Sequence, residues 1–186
     1  MAGTLRLTLL GWLHITRDET EVEGFVSRKA QALLAYLAVS GRVHFRDALA
    51  GLLWGTASQK RAAGNLRVVL SNLRHLVPDH IVITRQTVEF NRESDYWLDV
   101  EEFEKLVNWE SSRLVNRESG RLVDWETIGL PALRKAVNLY QGDFLEGFYV
   151  RDAPAFEEWV LLERERLRQM ALQAVSYTHL TLPTKA

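Results

Sequence analysis

Between Ser58 and Val77 the chain reads Ser58-Gln-Lys-Arg-Ala-Ala-Gly-Asn-Leu-Arg-Val-Val-Leu-Ser-Asn-Leu-Arg-His-Leu-Val77. No acidic residue occurs in this stretch, while Lys60, Arg61, Arg67 and Arg74 supply four cations. At about 100° per residue, Ala62, Ala63, Leu66, Val69, Leu70, Leu73 and Val77 gather within about half a turn and form a face to be buried. Opposite them lie Lys60, Arg61, Gly64, Val68, Ser71, Asn72 and His75, with Asn65, Arg67 and Arg74 on the flanks. Pro78 closes the helix, because the residue before a proline is pushed out of the helical region. The exposed face thus mixes small, amide, hydroxyl and cationic groups. A DNA major groove can use that set: Asn pairs with adenine, Arg with guanine, and a small apolar side chain such as Val68 meets a thymine methyl. Arg67 and Arg74 are placed to reach phosphates. Gly64 removes bulk where a helix must approach a groove, at a cost of about 1 kcal/mol of helix propensity relative to Ala. An ordinary amphipathic helix with a solvated basic face fits the same pattern, so the neighbouring elements have to decide between the two.

Upstream, Leu5, Leu7 and Leu9 alternate with Thr4, Arg6 and Thr8, the two-residue period of a half-buried strand. Trp12-Leu13-His14-Ile15 extends this pattern after Gly11, Asp18-Glu19-Thr20 reads as a turn, and Glu21-Val22-Glu23 as a short returning strand. The period then lengthens. Ser27 is placed to cap a helix whose Ala30, Leu33, Leu34, Leu37 and Ala38 recur at three- and four-residue steps, and Gly41 ends it. A second helix is expected from about Arg46 to Trp54, with Leu49, Leu52 and Leu53 inward. Downstream of Pro78, Ile81-Val82-Ile83 and Val88-Glu89-Phe90 flank Thr84-Arg85-Gln86-Thr87, which reads as a β-hairpin. Strands, three helices and a hairpin in this order make a winged helix-turn-helix preceded by a small sheet. Arg85 at the hairpin tip is a candidate for the minor groove or the phosphate backbone. A sheet edge blunted by charge would also place an arginine there.

Asp95 to Val100 marks a change of character, and the remainder of the chain reads as helix. Glu101–Val107 carries Phe103, Leu106 and Val107 on one side. Leu130–Tyr140 carries Leu133, Val137 and Tyr140. A long helix from Pro154 to about Ala174 carries Phe156, Trp159, Val160, Leu167 and Met170. Proline suits a first helical turn. Tyr140, Phe144, Phe148, Tyr149, Phe156 and Trp159 read as core between helices, and Glu163 and Glu165 as surface partners of Arg164, Arg166 and Arg168. Within residues 108–131 an octad is repeated: Asn108-Trp-Glu-Ser-Ser-Arg-Leu-Val115, Asn116-Arg-Glu-Ser-Gly-Arg-Leu-Val123, and a decayed third copy from Asp124 to Pro131. Eight residues are too few for a solenoid unit. The repeat reads as an inserted loop or helix extension, and a partner surface through Trp109 and Trp125 is the other reading. Residues 175–186 lose the Glu/Arg-rich pattern. Val175-Ser-Tyr-Thr-His-Leu180 looks like the translation of a transposase adapter used in sequencing libraries, so this tail is expected to lie outside the fold, with the true protein continuing beyond Ala174.

The 186 residues carry a net charge of −1 and no cysteine. That balance hides an asymmetry: residues 1–98 hold 12 basic and 9 acidic side chains, residues 99–186 hold 11 and 15. The two halves therefore suit different partners. Absent cysteine excludes a disulfide framework, a thiol nucleophile and thiolate zinc sites. No apolar run reaches the roughly 18 residues that span a bilayer, and the N-terminus lacks a signal-peptide pattern. Phosphate-loop, dinucleotide, nucleophile-elbow and His-Glu-x-x-His motifs are missing, and the five histidines have no metal-ligand spacing. The expectation is a protein that is not an enzyme and has no cofactor, no metal site, and a cytoplasmic location.

Trp54-Gly-Thr-Ala-Ser-Gln-Lys-Arg-Ala-Ala-Gly-Asn-Leu-Arg-Val-Val-Leu-Ser-Asn-Leu-Arg74 resembles the recognition region of the antibiotic regulatory protein activators, and Leu5-Arg-Leu-Thr-Leu-Leu-Gly11 resembles their first strand. Ala136-Val-Asn-Leu-Tyr-Gln-Gly-Asp-Phe-Leu-Glu-Gly147, Glu157-Glu-Trp159 and Glu163-Arg-Glu-Arg-Leu167 are similar to the bacterial transcriptional activator domain that comes second in that family. The resemblance covers about residues 4–174 without the octads. It implies an α+β winged helix-turn-helix of the response-regulator type over residues 1–97. An all-α, tetratricopeptide-like domain would occupy 98–174, with an octad insertion at 108–131. It also implies a sequence-specific transcription regulator of the bacterial nucleoid, an activator on tandem repeats near promoters. Expected partners are double-stranded DNA, RNA polymerase and a second copy of the chain on tandem sites, with no membrane. The DNA-binding residues would be Lys60, Arg61, Asn65, Arg67, Val68, Ser71, Asn72, Arg74, His75 and Arg85. This sequence departs from the family in a wing without glycine, in the octads and in a helical domain that is expected to be cut short, and no receiver domain is expected before the winged helix. The rival reading is a protein-interaction scaffold whose winged helix does not bind DNA. Acids on the third helix would favour that reading.

Overall fold

A computed structural model describes residues 3–114 and 125–180. The chain opens with β1 (Leu5–Thr8), β2 (His14–Arg17) and β3 (Thr20–Glu21), each antiparallel to the one before. Asp18 and Glu19, both with positive φ, form the turn between β2 and β3. The returning strand therefore starts one residue earlier than the sequence pattern suggests. The helices α1 (Arg28–Ser40), α2 (Arg46–Trp54) and α3 (Gln59–Leu76) come next. Ser27 and Ser58 occupy the N-cap positions of α1 and α3, although neither hydroxyl makes a capping bond. Gly41 ends α1 in the left-handed conformation, φ 59°, and donates its N–H to the Leu37 carbonyl. That conformation favours glycine because it has no Cβ.

Two short strands escape a reading by periodicity. β4 (His44–Phe45) precedes α2 and pairs with the hairpin of β5 (Ile81–Ile83) and β6 (Thr87–Phe90), giving the order β4-β6-β5. β7 (Tyr96–Leu98) returns to the first sheet and lies parallel to β1, with Leu5 opposite Tyr96 and Leu7 opposite Leu98. The first sheet thus runs β3-β2-β1-β7. Strands of two or three residues are too short to show alternation. Their pairing comes from partners far away in sequence.

The helical half holds α4 (Asp99–Leu114), α5 (Trp125–Leu139) and α6 (Pro154–Leu180), and α5 packs on both α4 and α6. The first octad continues α4 and the third opens α5, while residues 115–124 lie outside the described residues. The side chains of Trp109 and Trp125 lie outside them too. Helix α6 runs without a break through Val175 to Leu180, and Ala174 is buried. No proline or glycine interrupts this stretch before Pro183, so a helix already formed can propagate through it. Residues 181–186 lie outside the described residues.

The change of character near residue 98 is visible, yet the hydrophobic core does not divide there. One cluster runs from Leu5, Leu7 and Leu9 of β1 through α1 and α3 to Phe103, Phe144, Phe156 and Leu167 of the helical half. Backbone bonds stitch the seam: Gly11 N–H to the Asp143 carbonyl (3.0 Å), Leu145 N–H to Leu9 (2.8 Å) and Glu146 N–H to Gly11 (2.8 Å). Asp99 lies at its centre. One carboxylate oxygen accepts from the N–H groups of Leu9 and Leu10, and the other from Val100, all at 2.7 Å. Trp159 of α6 meets Tyr36 of α1 edge-on, with ring centroids 4.8 Å apart. Tyr149 stands outside the expected aromatic core, since its ring is exposed. Arg164 and Arg168 also differ from expectation. Arg164 donates to the carbonyls of Phe144 and Leu145, and Arg168 pairs with Asp143, so both hold the loop before α6. Arg166 alone takes the expected partner Glu163 and adds Glu104 of α4.

Candidate nucleic-acid interface

Helix α3 buries Ala62, Leu66, Val69, Leu70 and Leu73, and Val77 just beyond its end is buried with them. That leaves Lys60, Arg61, Arg67, Val68, Ser71, Arg74 and His75 exposed along one side. Val68, a β-branched apolar side chain, is 57% exposed amid four cations. Arg74 and His75 lie in the last turn, where positive charge also favours the helix dipole.

Asn72, expected on this face, is held inward. It is half-buried: its amide Nδ2 donates to the Gly24 carbonyl and its Oδ1 accepts from the Val26 N–H, both at 3.0 Å. The side chain thus fastens α3 to the strap between β3 and α1. Asn65, also half-buried, lies two turns earlier on the same flank. Ala63, expected in the core, is only half-buried because it borders a cleft.

The cleft has a volume of about 410 Å³ and separates α3 from the tip of the β5–β6 hairpin. Arg67 lines it from the helix and Arg85 from the tip. Phe45 and Arg46, at the β4–α2 junction, line its floor with Asp47. Phe45 is 68% exposed. Arg46 ties the tip in place: its backbone N–H donates to the Gln86 carbonyl (2.9 Å) and its guanidinium to that of Arg85 (3.4 Å). Neither residue stands out by periodicity, because a two-residue strand leads directly into the helix. The only hint in the sequence was an aromatic-arginine pair immediately before an apolar helical pattern.

The hairpin tip closes without glycine. The Thr84 hydroxyl oxygen accepts from the N–H groups of Gln86 (3.2 Å) and Thr87 (2.9 Å), and the Thr84 N–H donates to the Thr87 carbonyl (2.9 Å). Neither Arg85 nor Gln86 takes a positive φ. A side-chain oxygen therefore does what glycine's backbone freedom does in other tight turns. The Arg85 side chain is left exposed at the tip. Arg74 borders a second hollow of about 490 Å³ on the outer side of the hairpin, together with Asp79 and Asp95. Its surroundings are thus less uniformly cationic than those of Arg67.

Among the described residues, no group of three or more histidines and carboxylates is placed to hold a metal ion, and no helix is long and apolar enough to cross a membrane. No family model matches the chain, and no curated protein matches it. Among solved structures, EmbR of Mycobacterium tuberculosis in complex with a low-affinity phosphopeptide is similar, with a TM-score of 0.68 and 20% identity. The match covers 95% of this chain and 45% of EmbR, so the chain spans somewhat less than half the length of that protein. The likeness shows a shared fold.

Proposed function

We propose that the chain is a sequence-specific regulator of transcription that binds duplex DNA, seating α3 in the major groove with the β5–β6 hairpin as a wing. The observation that carries this reading is the exposed side of α3. Lys60, Arg61, Arg67, Val68 and Ser71 project from it without one acid, and Arg85 faces Arg67 across the cleft. Cations in that arrangement can neutralise phosphates on both sides of a groove, and Val68 and Ser71 are free to meet base edges. The fold shared with EmbR and the resemblance of residues 54–74 to antibiotic regulatory protein activators support the same reading. On it, the helical half is a tetratricopeptide-like activator domain, RNA polymerase is a partner, and the protein works in the bacterial nucleoid without catalysing a reaction.

The test is affinity for duplex DNA as a function of salt. Each phosphate contact removed should lower the slope of log K against log salt by roughly 0.9. Arg67→Ala and Arg85→Ala are each expected to do so, weakening binding to all sequences alike. A wild-type chain whose DNA affinity does not depend on salt would sink the reading. An unchanged slope in either variant would remove that arginine from the interface.

A further inference from the structure

We infer that Gly64 sets the depth at which α3 enters the groove, so that the base pairs facing Gly64 are the ones the protein discriminates most strongly; this rests on the DNA-binding reading above. A glycine inside a helix lowers its stability relative to alanine, so a reason to keep one is expected. No reason lies among the described residues. Gly64 is not among the glycines with positive φ, which are Gly11, Gly24, Gly41 and Gly147. It is not at a helix end, since α3 runs from Gln59 to Leu76. And no other element crowds it, because a Cβ built on Gly64 would meet no described atom within 4 Å beyond its chain neighbours and its own helix backbone. Gly55 and Gly147 differ. A Cβ at Gly55 would come within 2.7 Å of the Gly51 carbonyl oxygen, and one at Gly147 within 2.9 Å of the Trp12 ring.

The reason for Gly64 is therefore sought in a partner, and its surroundings indicate what the partner is. Lys60 and Arg61 stand one turn before it and Arg67 and Val68 one turn after, all exposed. The notch between them, itself half-buried, is a stretch of helix backbone with open space in front of it, in the middle of the cationic face. A helix with its side chains is about 10–12 Å across, and the major groove is about 12 Å wide. In so tight a fit, a missing side chain brings the helix axis closer to the groove floor. Val68 and Ser71 then reach base edges, while Lys60 and Arg67 grip the flanking phosphates.

Gly51 provides a control. It too lies inside a helix, α2, is exposed, and would meet nothing within 4 Å as alanine. Its neighbours Asp47 and Ala48 carry no cation. The experiment enriches a preferred duplex from a random pool with the wild-type chain. It then measures melting temperature and affinity for the preferred and a scrambled duplex in Gly64→Ala, Gly64→Gln and Gly51→Ala. Both alanine variants should melt above the wild type. Gly64→Ala should bind the preferred duplex at least tenfold more weakly and the scrambled one almost unchanged. Gly64→Gln should lose more, and Gly51→Ala nothing. Wild-type binding to the preferred duplex in Gly64→Ala, equal losses on both duplexes, or an equal loss in Gly51→Ala would overturn the inference. A wild-type chain that enriches no duplex would instead overturn the DNA-binding reading itself, and the inference with it.

Discussion

Asn72 illustrates how a polar side chain on the open side of a helix can be claimed by the fold. Its residue type and position suit an adenine, and by spacing alone it shares a face with Val68 and Ser71. The strap at Gly24–Val26 supplies a carbonyl and an N–H at 3.0 Å each, and the amide takes both. Two neutral bonds near the surface contribute about 1–2 kcal/mol together. Asn72→Ala should therefore lower stability by that amount, read as a shift in denaturant midpoint, and weaken binding to preferred and random duplexes equally. A loss confined to the preferred duplex would return Asn72 to base contact. What separates Asn72 from Ser71 is a contact with a strap more than forty residues away in the chain, which no helical wheel contains. The cations and Val68 were legible because their exposure follows from the wheel. Phe45 and Arg46 were not, because their importance comes from where the hairpin tip lands.

At the level of elements, the three helices and the hairpin could be read from periodicity and caps within a residue or two. β4 and β7 could not, being defined by distant partners. β7 leads into α4, and Asp99 at that junction holds the ends of β1 and α4 together. It is 1% exposed. Burial pushes its carboxyl up to about 6 from an ordinary 3.8, against the opposing pull of the N–H groups of Leu10, Leu9 and Val100. The folded value thus lies above the unfolded one. The associated stabilisation is complete below pH 3.8 and is lost as pH rises through 6. A shift of this size corresponds to about 3 kcal/mol between the two limits. Unfolding free energies of the wild type and Asp99→Asn measured from about pH 4 to 7 should therefore diverge, the wild type losing most of that amount relative to the variant. Parallel curves would mean that the three N–H groups hold the carboxyl near its ordinary value.

For the whole molecule, the continuous core and the seam from Leu9 to Glu146 matter most, because they join the cationic face to the acidic helical half without a hinge of free chain. A second chain on the same DNA would then present its helical half in a fixed direction. On the proposed reading, one α3 with about seven exposed positions would read too few base pairs for useful specificity in a genome, and a second copy would be required. No heptad zipper in the sequence imposes a symmetric pairing. Head-to-tail pairing on direct repeats is therefore expected, with half-sites about one DNA turn apart, roughly 10–10.5 base pairs, so that both α3 helices enter from one side. Inserting about five base pairs between half-sites turns one copy about half a turn away. Cooperative binding should be lost at that insertion and recovered when it is doubled, measured by titrating both duplexes with the full chain. Rigidity makes the test strict, because a flexible linker between the halves would let the copies find each other at either spacing. Indifference to the insertion, or a preference for inverted repeats, would exclude this arrangement while leaving the contacts of a single α3 intact.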